Sequence, residues 1–369
     1  MKRSLTPGCR IDRYVASHFV GSYVAALGLL LGLFLILDMA SNLDDWLEPW
    51  PDGKTAPASL LARYYLLQLP FQYLQIAPFV TLLAAMFTAN RMLRKNEVAA
   101  VLSAGVGVHR LLLPVYVFGL FLAVGMFALR EAVGHGLADR RDALLDRLET
   151  KGAEQVFEGV VVRDLSGGMV ILDRYWPAPA DGGAPRVEGL TVRLRREGRY
   201  ARIEAPRAEW DGERFVLEEG RLSSVALGEI EAEDRPVDTL EGIEMSPSVV
   251  TTFHRSREPL DLSFREIAEL IRREPDHPAW LTLWHYHLTF PLANLVLLLV
   301  GIPVMFTYER GKGTERMAVG GLICVFYFAV DFVLRGLGLS GGLDPIWAAW
   351  LPPLAFGSLG AVLTESIRT

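Results

Sequence analysis

The chain has 369 residues, is 51% hydrophobic, carries a formal net charge of −6 and has a mean hydropathy of +0.26. That balance is too apolar for an ordinary soluble protein and too polar for membrane spans alone, so it implies several spans plus one sizeable water-exposed domain. The acidic balance gives no basis for nucleic-acid binding, and two cysteines, Cys9 before the first apolar run and Cys324 inside a later one, exclude a disulfide framework.

A basic N-terminus (Lys2, Arg3, Arg10, Arg13) precedes the first apolar run, Phe19 to Leu37. This run is long enough to cross roughly 30 Å of hydrocarbon. It is too long for a signal-peptide core and no small-x-small cleavage site follows, so it reads as an uncleaved span. An acidic stretch comes next, with Asp44, Asp45, Glu48 and Asp52. The second run covers about Leu66 to Leu93. Gln68, Gln72 and Gln75 fall on one side of it, which should face other helices because a buried amide needs a partner. Pro70 and Pro78 should bend it.

Between the second and third runs lies Arg94 to Arg110. Asn96 reads as an N-cap whose side chain accepts from the first turn. Glu97 stands at the positive end of the helix dipole. Val98, Val101, Leu102 and Gly105 share one face, and Gly105 and Gly107 can end the helix with positive φ. A helix from Glu97 to Ala104 is a rod of roughly 12 Å. It is too short to span a bilayer; it either joins two spans or fills a groove on a partner.

The third run is Leu111 to Leu129, ending at Arg130 and Glu131. From residue 131 to about 279 charges are frequent and no run is long enough to span. A polar helix opens at Asp139 and runs to about Thr150. Strands are expected at Gln155 to Val162 and Met169 to Tyr175, around the Ser166-Gly167-Gly168 turn, and at Gly189 to Arg195, Tyr200 to Glu204, Ala208 to Trp210, Arg214 to Glu218 and Ser223 to Ala226. Asp211-Gly212 and Glu219-Gly220 mark turns. Short strands at this spacing predict an antiparallel sandwich or jelly roll. A helical pattern returns over Pro259 to Arg273.

Three more spans follow: about Leu281 to Phe306, Met317 to Leu337 and Ile346 to Leu363. With six spans, the Lys/Arg-bearing N-terminus, 91–110 loop, 308–316 loop and C-terminus share one side, which the positive-inside rule makes cytoplasmic. The β-domain then lies outside. Gly311-Lys312-Gly313-Thr314 lacks the upstream glycine and the Lys-Ser/Thr pair of a Walker A loop, so any ATP is hydrolysed by another chain.

Asp331 and Arg335 stand four residues apart in the fifth span and can pair on one face, facing the bundle interior. His285 and His287 lie about 200° apart on a helix and cannot grip one metal ion together. With Trp280, Trp284 and Tyr286 they read as an aromatic belt at the membrane interface.

Several motifs in order resemble the LptF/LptG family of permeases. They are Asp12-Arg13-Tyr14, Asn96-Glu97-Val98-Ala99-Ala100 through Ala104-Gly105, Phe290-Pro291-Leu292-Ala293 with Gly301-Ile302-Pro303, Asp331, and Trp350-Leu351-Pro352; in the β-domain, Ile203-Glu204-Ala205 through Trp210-Asp211-Gly212 and on to Leu217 fits. The resemblance covers the whole chain, closer to the LptG type. It implies an α-helical membrane protein with six transmembrane helices and an inserted antiparallel β-jellyroll-like periplasmic domain, in the bacterial inner membrane with both termini cytoplasmic. It implies a permease subunit of an ABC-type exporter that extracts lipopolysaccharide, or a related lipid, and passes it to a periplasmic β-domain bridge. The implied partners are an LptB-like ATPase dimer carrying ATP and Mg, a second LptF/LptG-type subunit, an LptC-like bridge protein and the lipid, with no cofactor or metal in this chain. The helix at about 96–105 becomes the coupling helix, with Glu97, Val98, Val101 and Leu102 as ATPase contacts.

The expected division is a first transmembrane half over 1–130, the β-domain with flanking helical segments over 131–279, and a second half over 280–369. Members of the LptG type often carry lysines near the outer end of the first span, whereas this chain has Asp38 and then acids. Arg63, Arg130 and Arg335 are therefore the expected headgroup contacts. Two other function classes compete. A membrane enzyme acting on a lipid-linked substrate lacks a Ser/His/Asp, HExxH or paired-carboxylate signature. A passive anchor for the β-domain has no need of polar, proline-broken spans.

Overall fold

The computed structural model describes residues 10–50, 55–134, 136–151, 156–165, 167–178, 183–196, 199–226, 233–240, 243–255, 262–307 and 313–365. Cys9, Asp52, Ser166, Pro259, Arg310 and Lys312 lie outside the described residues. The chain divides into two units. One holds residues Met1–Leu43, Tyr65–Val133 and Pro278–Thr369; the other holds Asp44–Tyr64 and Gly134–His277.

The first unit is a helical bundle. Six helices are long and apolar enough to cross a membrane: α1 (Arg10–Leu47), α2 (Ala58–Arg94), α4 (Val108–Gly134), α8 (Pro278–Thr307), α9 (Gly313–Leu339) and α10 (Pro345–Glu365). The short α3 (Glu97–Ser103) separates α2 from α4. Each expected span is present and most extend past the apolar run, because helix continues into polar turns that hydropathy does not register. The central helix is α8, whose apolar window is 78% buried within the chain, against 6% for α1.

Two apolar cores share α2 and α8. One joins Val15 and Phe19 of α1 to Val80 and Ala84 of α2, Leu111 and Val115 of α4 and Leu298 of α8. The other joins Met86 of α2 to Leu297 and Val300 of α8, Tyr327 of α9 and Phe356 of α10. Gly301 sets the α2–α8 approach, since a Cβ there would collide with the Leu82 side chain. A polar lock crosses the same seam: the Thr81 hydroxyl donates to Asn294 Oδ1 at 2.7 Å. Within α8 the Asn294 amide donates to the Pro291 carbonyl at 3.0 Å. Of the three glutamines, Gln72 is buried and Gln68 half-buried, but Gln75 is exposed, so the expected polar stripe turns out of the bundle at its last member.

The second unit carries α5 (Leu137–Glu149), a sheet, α6 (Pro247–Arg255) and α7 (Phe264–Arg273). The sheet is antiparallel with seven strands: β1 (Phe157–Arg163), β2 (Met169–Trp176), β3 (Arg186–Arg196), β4 (Arg199–Trp210), β5 (Phe215–Glu218), β6 (Arg221–Ala226) and β7 (Glu233–Pro236). Their order is β1-β2-β3-β4-β6-β7, with β5 also paired to β4. One buried row runs Val160, Leu172, Leu190 and Ala205 across four strands. The next row is special. Gly159 and Gly189 both have positive φ, and they flank Asp173 and Pro206 in the register. The two segments expected as separate strands, Tyr200 to Glu204 and Ala208 to Trp210, are therefore one strand. Proline cannot donate to a ladder, and the left-handed Gly189 opposite lets the ladder skip that position.

The helix expected from Pro259 begins at Phe264. Ser263 caps it: its hydroxyl accepts from the Glu266 amide at 3.2 Å, and Glu266 accepts from the Ser263 amide at 2.7 Å. This reciprocal box satisfies two otherwise orphaned donors.

Candidate functional site

Two clusters in the helical unit collect the sequence-predicted residues. The first surrounds α3. Asn96 has φ 55° and ψ 20°, and its side chain makes no capping bond. The N-cap expectation is corrected accordingly. Asparagine is used here because it tolerates the left-handed region, which breaks α2 from α3 in a single step. The Asn96 amide still donates back to the Leu93 carbonyl, and the Ala100 amide donates to the Asn96 carbonyl. At the other end Gly105, with φ 80°, closes a Schellman turn: Val106 N–H reaches the Val101 carbonyl at 3.2 Å and Gly105 N–H the Leu102 carbonyl at 2.8 Å. Gly107 does not share that conformation.

The beginning of α1 grips this loop at two points. The Tyr14 hydroxyl donates to Glu97 Oε1 at 2.8 Å. Arg110 donates to both Asp12 oxygens, at 2.7 and 2.8 Å, in a fork-to-fork pair. The Asp12-Arg13-Tyr14 sequence thus clamps α3 at its first residue, Glu97, and again beyond its last, at Arg110 in the first turn of α4.

The face of α3 is divided differently from the expectation. Val98 is 5% exposed and belongs to the chain's own core with Val15, Leu111 and Leu112; Val101 packs on the same cluster. Val98 is therefore taken up by the chain's own core, whereas Val101 is half-buried and keeps part of its surface open. Leu102 is exposed, together with Ala99, Ala100 and Ser103. Glu97 is half-buried and engaged by Tyr14.

The second cluster sits on α4, α8 and α9. Asp331 and Arg335 share a face of α9 but do not form an ion pair with each other among the described residues. The Tyr286 hydroxyl of α8 stands between them. It accepts from Arg335 Nη1 at 2.7 Å and donates to Asp331 Oδ2 at 3.3 Å. The expected direct pair is corrected to this relay, because the Arg335 guanidinium lies over the Tyr286 ring, 4.7 Å from its centre, rather than along the carboxylate. The Tyr286 and Phe290 rings pack at 5.2 Å with their planes tilted by 38°, and the Arg130 guanidinium lies 5.5 Å from the Phe290 ring centre. Two cations thus cap the ends of a two-ring ladder.

Tyr286 and His287 are also corrected as interface residues. Both are buried, and His287 Nδ1 contacts the Leu283 carbonyl four residues earlier at 2.9 Å. His285 meets the Trp350 indole nitrogen at 3.5 Å. Arg63 is exposed and belongs to the other unit.

The order of spans, short clamped helix, β-domain and spans is now in view, and a family model agrees with it. The model for "Lipopolysaccharide export system permease LptF/LptG" matches residues 13–366, nearly the whole chain. The chain belongs to the LptF/LptG family. Among individually curated proteins none matches. As an LptF/LptG member it is a lipopolysaccharide export permease and not a catalytic enzyme, and its six apolar helices fit an inner-membrane protein. This displaces both the lipid-linked enzyme and the passive anchor. For the LptF/LptG chain, Tyr14, Asp12, Arg110, Tyr286 and Asn294 are the site and seam residues whose contacts spacing did not reveal. A signal existed for Tyr14 and Asp12, which lie in the Asp12-Arg13-Tyr14 motif that opens the first span. None existed for Tyr286, whose partners are 45 and 49 residues away.

Proposed function

We propose that this chain couples ATP hydrolysis on a separate LptB-like ATPase dimer, which holds the ATP and Mg, to extraction of lipopolysaccharide from the inner membrane. In this reading α3 is the coupling helix, and both termini and α3 lie in the cytoplasm. The sheet lies in the periplasm and receives lipid on its way to an LptC-like bridge protein. A second LptF/LptG-type subunit packs against α1 and α9, which keep Leu33, Ile36, Leu322, Phe326 and Phe332 exposed. The G-type reading rests on the residue resemblance.

The observation that carries this proposal is the clamp on α3. A loop that merely joined two spans has no need of two long-range polar grips at its ends, whereas a helix that receives force does. Contact with the ATPase falls to Leu102, Ala99, Ala100 and Ser103. Glu97 transmits through Tyr14 instead of facing the partner alone. Arg130 and Arg335 are the headgroup contacts, held in position by their rings, and Arg63 is a further contact.

The test is co-purification of Leu102→Asp with the ATPase, alongside ATP-driven lipid release. Loss of both with unchanged expression supports the reading. Wild-type behaviour in both assays sinks it.

A further inference from the structure

Between α1 and α2 lies a groove of about 680 Å³, within the usual size of a ligand site. It is lined by Ser22, Ala25, Ala26 and Leu29 on one wall and by Phe87, Asn90, Arg91, Arg94 and Lys95 on the other. The lining is ordered along the helix axes. The two helices run antiparallel, so Leu29 and Phe87 lie deep towards the middle of the spans, Ser22 and Asn90 lie midway, and the three cations lie at the α3 end. About 12 Å of α2 separates Phe87 from Lys95.

Basic residues at a span end satisfy the positive-inside rule without any ligand. Three features distinguish this site. The apolar wall is cut back to alanine at two positions where bulk would fill it. None of Arg91, Arg94 and Lys95 forms an ion pair among the described residues. Glu97, two residues beyond Lys95 in the sequence, is held by Tyr14.

We infer that this groove seats one anionic phospholipid from the leaflet on the α3 side. Its phosphate meets Arg91, Arg94 and Lys95, its glycerol region meets Ser22 and Asn90, and one acyl chain runs down past Ala25 to Leu29 and Phe87. A cation cluster over an apolar slot is complementary to a charged head on a hydrocarbon tail, and basic pockets between membrane helices are a recurring form of lipid headgroup recognition. The bound lipid would brace α1 against the end of α2, beside the clamp on α3. That the leaflet is the cytoplasmic one rests on the proposed topology; the site itself does not.

The experiment is native mass spectrometry of the full-length chain in mild detergent, with equal amounts of phosphatidylglycerol and phosphatidylcholine of the same acyl length. The unmutated chain should retain phosphatidylglycerol roughly tenfold over phosphatidylcholine, since each basic residue near an anionic headgroup contributes measurably. A chain with Arg91→Gln, Arg94→Gln and Lys95→Gln together should retain the two lipids equally. Ala25→Trp, which fills the slot and leaves the charges, should lose phosphatidylglycerol. Equal retention by the unmutated chain, a preference that survives the triple change, or unchanged binding in Ala25→Trp overturns the inference. Complete displacement of phosphatidylglycerol by inorganic phosphate would also overturn it. A benzophenone side chain at Phe87 in native membranes should label lipid; labelling of a second permease subunit would give the groove to a protein helix instead.

Discussion

The Tyr14 hydroxyl donates to Glu97 Oε1 at 2.8 Å, across 83 residues of sequence. The bond joins the first turns of α1 to the first residue of α3. Tyr14→Phe and Glu97→Gln should each lower ATP-driven lipid release while leaving insertion and expression intact. Because both changes remove the same contact, the double variant should be no worse than the more severe single one. Additive losses in the release assay would mean that Glu97 acts on something other than Tyr14.

Val98 and Leu102 should separate cleanly. Val98→Asp places a carboxylate in the core beside Val15 and Leu111, where an unpaired charge is costly. It should lower the melting temperature in detergent and reduce the amount recovered. Leu102→Asp should leave the melting temperature unchanged and abolish ATPase co-purification. The reverse pattern would show that α3 presents its other face.

Tyr286→Phe removes the bridging hydroxyl and leaves Asp331 and Arg335 without their common partner. Ionisable groups inside a membrane bundle are costly unless paired. The variant should be less stable than the unmutated chain, and Asp331→Asn combined with Tyr286→Phe should recover part of that loss by neutralising the stranded acid. Thermal unfolding in a fixed detergent reads both. No recovery in the double variant would place the stabilisation on Arg335 and its rings alone.

Asp211 turns the chain between β4 and β5. Its Oδ1 accepts from the amides of Arg214 and Glu213, each at 2.8 Å, and these bonds hold its pKa below the ordinary aspartate value. A depressed folded pKa gives stability that is complete above the unfolded value, about 3.9, and is lost as pH falls through the folded one. Amide protection factors across this hairpin, corrected for the intrinsic pH dependence of exchange, should therefore fall below about pH 4. In Asp211→Ala protection should already be low at neutral pH, with that step missing. An identical acid profile in both chains would remove Asp211 from the turn's stability.

Gly189 has φ 70°, and a Cβ there would collide with the Asp173 carboxylate. Gly189→Ala should destabilise the sheet by about 1–2 kcal/mol, the cost of a left-handed residue carrying a side chain. Asp173→Ala in the same chain should relieve the collision without relieving the backbone strain. Melting of the intact protein measures both, and a neutral Gly189→Ala would refute the strained row.

Legibility in the sequence followed the range of each interaction. Spans and most strands are announced by runs and alternation within about ten residues, so they were visible at nearly the right places. The merged β4 was not, because Pro206 breaks a strand by every local rule, and the glycine that accommodates it lies on β3. The short α6 and β7 carry too few residues to set a period. Periodicity drew the apolar stripe of α3 correctly but said nothing of what covers it, and the cover proved to be α1 and α4. Tyr286 shows the same limit. An aromatic near a span end has the composition of an interface residue, and the partners that draw it inward lie on another helix.

The left-handed Asn96 makes α2 and α3 two levers on a pin instead of one continuous shaft. Any push on α3 therefore cannot travel straight down α2 as compression. It is diverted through Tyr14 and Asp12 into α1, whose apolar surface has the least packing of any span to hold it still. In the proposed coupling, the helix that the clamp seizes is thus the one least enclosed by the rest of the chain, while α8, the most enclosed, stays at the centre.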